Sequence, residues 1–132
     1  MILLDTHVLV SWVTDPKRIP RLATRAIDRV LRKDETLGVS SFSIWEIALL
    51  GKRGRLRSKR DLDVWLEEVE KLPVLAFYPV DNRIARRSVT LALGTNDPAD
   101  RIIVATALEY GATLITADAK LRAYRGLETV WD

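Results

Sequence analysis

Met1 to Leu4 are apolar and the run halts at Asp5, the pattern of a short buried strand with a polar residue at its carboxyl end. Val8 to Val13 resume the apolar pattern and predict a short helix. Pro16 and Pro20 bracket a turn. From Arg21 to Arg32, Leu22, Ala26, Ile27, Val30 and Leu31 recur at helical spacing opposite Arg25, Asp28, Arg29 and Arg32. Leu37 to Val39 read as a second strand, and Ser40 to Ser43 as a cap region for a helix running through Leu50 to the breakers Gly51 and Gly54. Asp61 is placed to cap a helix with Leu62, Trp65, Leu66, Val69 and Leu72 on one face, stopped by Pro73. Val74 to Tyr78 predict a third strand, and Asp81 opens a helix reaching about Leu93. Asp97 suits the N-cap of a further helix with Pro98 in its first position, continuing from Ala99 to Tyr110 and closed by Gly111. Thr113 to Thr116 and Thr129 to Trp131 complete the strands. Such alternation favours a parallel sheet with helices on both faces, and the absence of repeats or linkers makes residues 1–132 one domain.

In open sheets of this kind ligands bind beyond the carboxyl ends of the strands. Asp5 follows the first strand directly, and Asp118 lies two residues past Thr116. Glu46 and Asp100 fall early in helices that have just crossed the same edge. Four carboxylates from distant parts of the chain can therefore converge on one cleft. Two such charges about 5 Å apart repel by roughly 3 kcal/mol at an effective dielectric near 20, so protons or a divalent cation must neutralise the group. All-oxygen donors suit Mg²⁺ or Mn²⁺, and a cation so held supports phosphodiester hydrolysis without a nucleophilic side chain.

Composition narrows the chemistry. The 132 residues include no Cys and one His, which excludes disulfide scaffolds, cysteine nucleophiles and multi-His zinc sites. With 48% hydrophobic residues the chain can bury a core, and no apolar run is long enough to span a bilayer or opens the chain as a leader, so a soluble cytoplasmic protein is expected. The net charge of +3 hides a partition. Lys52, Arg53, Arg55, Arg57, Lys59 and Arg60 form a run without an acid; taking those six from the 21 basic residues leaves 15 against 18 acids, a net of −3. That run is a candidate contact for a polyanion as well as a solvated loop.

Each candidate has a structural reading too. Ser43 and Glu46 have the spacing of a capping box. Asp118 can cap the segment after it, Asp97 is best explained as a cap, and Asp100 is favoured near a helix N-terminus. Asp5 has no evident structural use. His7 reads as local, and Trp12, Trp45 and Trp65 fit core packing better than base stacking. Arg83, Arg86 and Arg87 read as a solvated helix face.

Four blocks carry a resemblance: Ile2 to Val10 (ILLDTHVLV), Ser40 to Ala48 (SSFSIWEIA), Asp97 to Ala105 (DPADRIIVA) and Leu114 to Asp118 (LITAD). In this order they resemble the PIN-domain ribonucleases and, more narrowly, VapC-type toxins of prokaryotic toxin–antitoxin pairs. The resemblance implies a three-layer α/β/α sandwich around a mostly parallel sheet, with an acidic pocket for Mg²⁺ or Mn²⁺. Asp5, Glu46, Asp100 and Asp118 match the family's acids, and Thr6 and Thr116 match polar positions of its pocket. It further implies metal-dependent endoribonuclease activity on RNA, inhibition by a cognate antitoxin protein, and a homodimer. A degenerate, catalytically inactive PIN-like module that binds RNA or serves as a scaffold is the main rival, though it predicts lost acids. An aspartyl phosphatase lacks its second acid after Asp5, a phosphoacceptor domain lacks its acceptor after the third strand, and no glycine-rich phosphate loop is present.

Overall fold

The computed structural model describes residues 1–54 and 61–132. Its five described strands are β1 (Ile2–Leu4), β2 (Leu37–Ser40), β3 (Leu75–Tyr78), β4 (Thr113–Ile115) and β5 (Thr129–Val130), in the sheet order β3-β2-β1-β4-β5. Every pairing is parallel, and the central β1 sets Leu3 beside Gly38 on one side and beside Leu114 on the other.

Strand periodicity divides the core. Ile2, Leu4, Leu37, Val39 and Ile115 point to one face, where they pack with α1 (Thr6–Thr14), α2 (Arg21–Arg32), α3 (Ser41–Lys52) and α4 (Leu62–Glu70). Leu3 and Leu114 point to the other, against α5 (Asn82–Thr90), α6 (Pro98–Tyr110) and the short α7 (Ala119–Arg122). The three layers are thus those the alternation predicts. Gly38 leaves no room for a side chain between the strands: a Cβ there would stand 2.8 Å from the Ile2 carbonyl oxygen.

Boundaries shift where side chains compete with backbone bonding. The first helix begins two residues before the apolar pattern resumes, because Asp5 caps it. α5 stops at Thr90 rather than near Leu93, and the reason lies in α6. The Arg101 guanidinium donates to the carbonyl oxygens of Ser88 (2.8 Å), Val89 (3.2 Å), Leu91, Leu93 (3.5 Å) and Thr95 (2.8 Å). It closes the C-terminal end of α5 and winds residues 91–95 around a single cation, fixing the approach to α6. Arg83 and Arg87 are not merely solvated either: both pair with Glu109, at 2.9 and 3.0 Å, tying α5 to α6. The hydrogen bond from Arg83, chief among these contacts, holds the Glu109 carboxyl below its usual range.

Removing Arg101 leaves several carbonyls without donors, so Arg101→Ala should destabilise the fold by about 3 kcal/mol or more in urea unfolding. Arg101→Lys should recover only part of this, since an ammonium cannot fan out five N–H groups. A loss within about 0.5 kcal/mol for both variants would show that the loop is held by other means.

Candidate functional site

β1 ends at Leu4, and the next residue leaves the sheet and starts a helix at once. Asp5 is buried, 5% exposed, and both carboxylate oxygens are engaged. Oδ1 accepts from the Thr6 backbone N–H at 2.8 Å, and Oδ2 accepts from the Thr116 hydroxyl at 2.6 Å. The absence of a structural use for Asp5 is therefore corrected: it caps α1 and locks that helix to the end of β4. Thr116 stands fully buried behind it, and its Oγ1 also accepts from the Asp118 N–H at 3.0 Å. Asp118 in turn caps α7 through Oδ1, which accepts from Lys120 N–H at 2.8 Å and Leu121 N–H at 3.4 Å.

The capping box suggested by Ser43 and Glu46 is not formed. Ser40 is the N-cap of α3, its Oγ accepting from Phe42 N–H at 3.1 Å, which places Ser43 inside the helix. Ser43 is instead fully buried, 2.8 Å from the Thr6 hydroxyl. Thr6 also bonds to the Glu46 carboxyl. Released from capping, Glu46 reaches the cavity from the second turn of α3. Burial, more than any other influence, raises its carboxyl above the usual range, and Asp5 and Asp97 add to this against the Thr6 hydrogen bond.

Asp97 caps α6 as its position predicts, Oδ1 accepting from Ala99 N–H at 2.8 Å and Asp100 N–H at 3.2 Å. That leaves Asp100, third in the helix, facing the other acids. Burial first, then the charges of Asp97, Asp5, Asp118 and Glu46, push its carboxyl up to about 7. Four of these five acids, all but Asp97, border one space.

That space is a cavity of about 310 Å³ whose walls include Asp5, Thr6, Glu46, Asp100 and Asp118. All four candidate acids and Thr6 are brought together, with Thr116 one layer behind. Among the described residues, no three acidic or imidazole side chains are drawn together tightly enough to form a ready coordination set. The donor set fits a hard divalent cation in chemistry, being all carboxylate oxygen with repulsion to relieve. His7 also lines the cavity; its Nε2 accepts from Ala117 N–H at 3.2 Å and lies 3.4 Å from Asp5 Oδ2, so it ties α1 to the loop after β4.

Sequence reasoning missed Arg18, which lines the cavity from a 3-10 turn, Pro16–Arg18, with its Nε 3.6 Å from Asp15. It also missed Ser11 on the wall and Ser43 beneath Thr6. Pro16 marked the turn, but nothing local says which way Arg18 faces. Of the basic run, Lys52 ends α3 and Arg53 follows as its C-cap, both exposed; Arg55, Arg57, Lys59 and Arg60 lie outside the described residues.

Fold and acidic edge together define a PIN-like α/β/α protein. A family model for the PIN domain matches residues 2–127, and the chain belongs to that family. Ribonuclease VapC22 of Mycobacterium tuberculosis is 34% identical, over 98% of both chains. Among solved structures, VapBC2 from Rickettsia felis, bound to a DNA fragment from its promoter, superposes with a TM-score of 0.72 at 19% identity over the full length of both chains. FitAcB from Neisseria gonorrhoeae gives 0.66 at 25% identity over 98% of this chain and 96% of that one.

A carboxyl near 7 in the folded chain and at its ordinary 3.8 when unfolded makes the fold retain a proton that the unfolded chain has released. Stability from this group therefore falls as pH rises from about 4 to about 7, and the penalty is complete above that. Asp100→Asn should raise the melting temperature of the cation-free protein at pH 8 by a few degrees, on the order of 3–6 °C, with the gain vanishing near pH 4. An unchanged or lower melting temperature at pH 8 would contradict the crowding of charge at Asp100.

Proposed function

We propose that this chain is a divalent-cation-dependent endoribonuclease, the toxin of a toxin–antitoxin pair, whose catalytic and cation-holding residues are Asp5, Glu46, Asp100 and Asp118. One observation carries this reading: four acids from four separate segments line one cavity, and the proton affinity of Asp100 registers the charge of the other three. Membership of the PIN domain family and 34% identity to a ribonuclease over nearly the whole chain support it.

What a divalent cation supplies when bound here is charge neutralisation of the acids, a more acidic water and stabilisation of charge on a phosphodiester. The chain's part is preorganisation. Asp5 is held rigid by the Thr6 N–H and the Thr116 hydroxyl, which fixes the position of its carboxylate. Thr6 orients Glu46, and the first turn of α6 presents Asp100 with the helix dipole favouring its ionised form. Near neutral pH Asp100 is partly protonated, and a cation held by these acids would favour its ionised form. Arg18 adds a positive charge on the cavity wall, suited to a phosphate outside the acid cluster.

Carboxylate donors serve Mg²⁺ and Mn²⁺ alike, and both belong in the assay. The toxin acts in the cytoplasm, where its RNA is found. Among the described residues, no helix is long and apolar enough to cross a membrane. A short antitoxin protein keeps it inactive, and the active form is a homodimer.

Purified protein incubated with total RNA should cleave internally in Mg²⁺ or Mn²⁺ and stop in EDTA. Asp5→Asn and Asp100→Asn should each reduce cleavage by about a hundredfold or more while the far-ultraviolet circular dichroism stays native. Cleavage that survives both EDTA and Asp5→Asn would overturn this mechanism. A folded protein that binds RNA and cleaves none with either ion would point instead to the inactive PIN-like module.

A further inference from the structure

Trp45 precedes Glu46 on α3, and core packing is what its helical position suggests. The structure places it otherwise: it is 53% exposed, while Trp12 and Trp65 pack against the core. Phe42 meets the indole nearly edge-on, with ring centroids 4.7 Å apart and planes at 70°, which restricts its motion. A large apolar ring left in water and braced by a neighbour is prepared for a contact that the isolated chain does not make.

Its surroundings indicate the kind of contact. Trp45 is a wall shared by two clefts. One, about 430 Å³, is mostly apolar and includes Phe42, Pro79, Val80 and Ile102. The other, about 360 Å³, lies between α3 and the start of α6, where Trp45 is joined by Leu49, Arg53 and Pro98. Glu46 and Leu50 line this second cleft and also the acidic cavity, so the two spaces adjoin. The acids on its wall are Glu46, which also lines the cavity, and Asp97, which is occupied capping α6. Arg53 is its cation. A flat, sequence-tolerant platform and a guanidinium beside a phosphodiester-cleaving centre are the pair of features that single-stranded nucleic acid uses, one for a base and one for a phosphate.

We propose that this cleft is a substrate subsite, in which Trp45 stacks on an unpaired nucleobase flanking the cleaved bond and Arg53 binds a neighbouring phosphate. This rests on the endoribonuclease reading and sharpens it: the base must be splayed from any helix to reach the indole, so cleavage falls in unpaired segments. A second copy of the chain could also cover Trp45 through the apolar cleft, and the test separates the two.

The probe is a short, fluorescein-labelled, mixed-sequence single-stranded RNA and its fully paired duplex, titrated by anisotropy with the full chain carrying Asp100→Asn in Mg²⁺. Adding Trp45→Ala should weaken single-strand binding roughly tenfold, with Trp45→Phe keeping most of the affinity and duplex binding little changed. Arg53→Gln should weaken binding and lower the slope of log K against log salt by about one. In chains retaining Asp100, Trp45→Ala should raise KM with a smaller effect on kcat. Should the parent chain cleave RNA while the Trp45 and Arg53 variants bind and cleave as it does, the subsite is wrong and the nuclease reading stands. Failure of the parent chain to bind or cleave any RNA removes both. Loss of binding that tracks conversion of a dimer to monomers in sedimentation assigns Trp45 to a contact between copies and overturns the subsite.

Discussion

Like charges gathered where parallel strands end are the constraint around which the rest of this structure is arranged. Asp5, Asp97 and Asp118 each serve as a helix N-cap, accepting backbone N–H groups of α1, α6 and α7 through one carboxylate oxygen. Helix ends need such acceptors, and their partial positive charge tolerates an acid better than any other surface does. All three start helices, Asp5 and Asp118 just past the ends of β1 and β4, and they deliver negative charge to one edge. Glu46 and Asp100 are not caps, and they are the two acids whose carboxyls are held above the ordinary range.

Holding the acids in place requires a second set of residues behind them. Thr116 joins Asp5 to the Asp118 backbone, tying the ends of β1 and β4 together. Thr6 joins α1 to α3 through Ser43 and Glu46. Arg101, the residue after Asp100, anchors the far side by gathering the carbonyls between α5 and α6. Each link uses a polar group that burial would otherwise penalise, and no buried side-chain polar atom among the described residues lacks a partner.

The layered fold is legible in the sequence because it rests on periodicity and punctuation: apolar runs of three or four residues, the Asp-Pro start of α6 and Gly111 in the left-handed conformation at its end. The acids were legible for a topological reason, since a parallel sheet brings residues just past its strands to one edge whatever their separation in sequence. Other features depend on long-range contacts that spacing does not encode. Ser43 has capping-box spacing from Glu46, yet a serine three residues earlier takes the cap and frees Glu46 for the cavity. Nothing in the spacing around Arg101 announces the loop carbonyls that it gathers. Trp45 has the position of a core residue, but α3 turns that face toward solvent beside the cavity.

The proposed role of the acidic edge is most directly tested by locating the cation itself. Crystals of the protein soaked in Mn²⁺ and measured at the manganese absorption edge should give an anomalous peak inside the cavity bounded by Asp5, Glu46, Asp100 and Asp118, lost in the Asp100→Asn variant. A well-ordered map with no peak there, or with manganese only at unrelated surface acids, would contradict a catalytic cation at this edge.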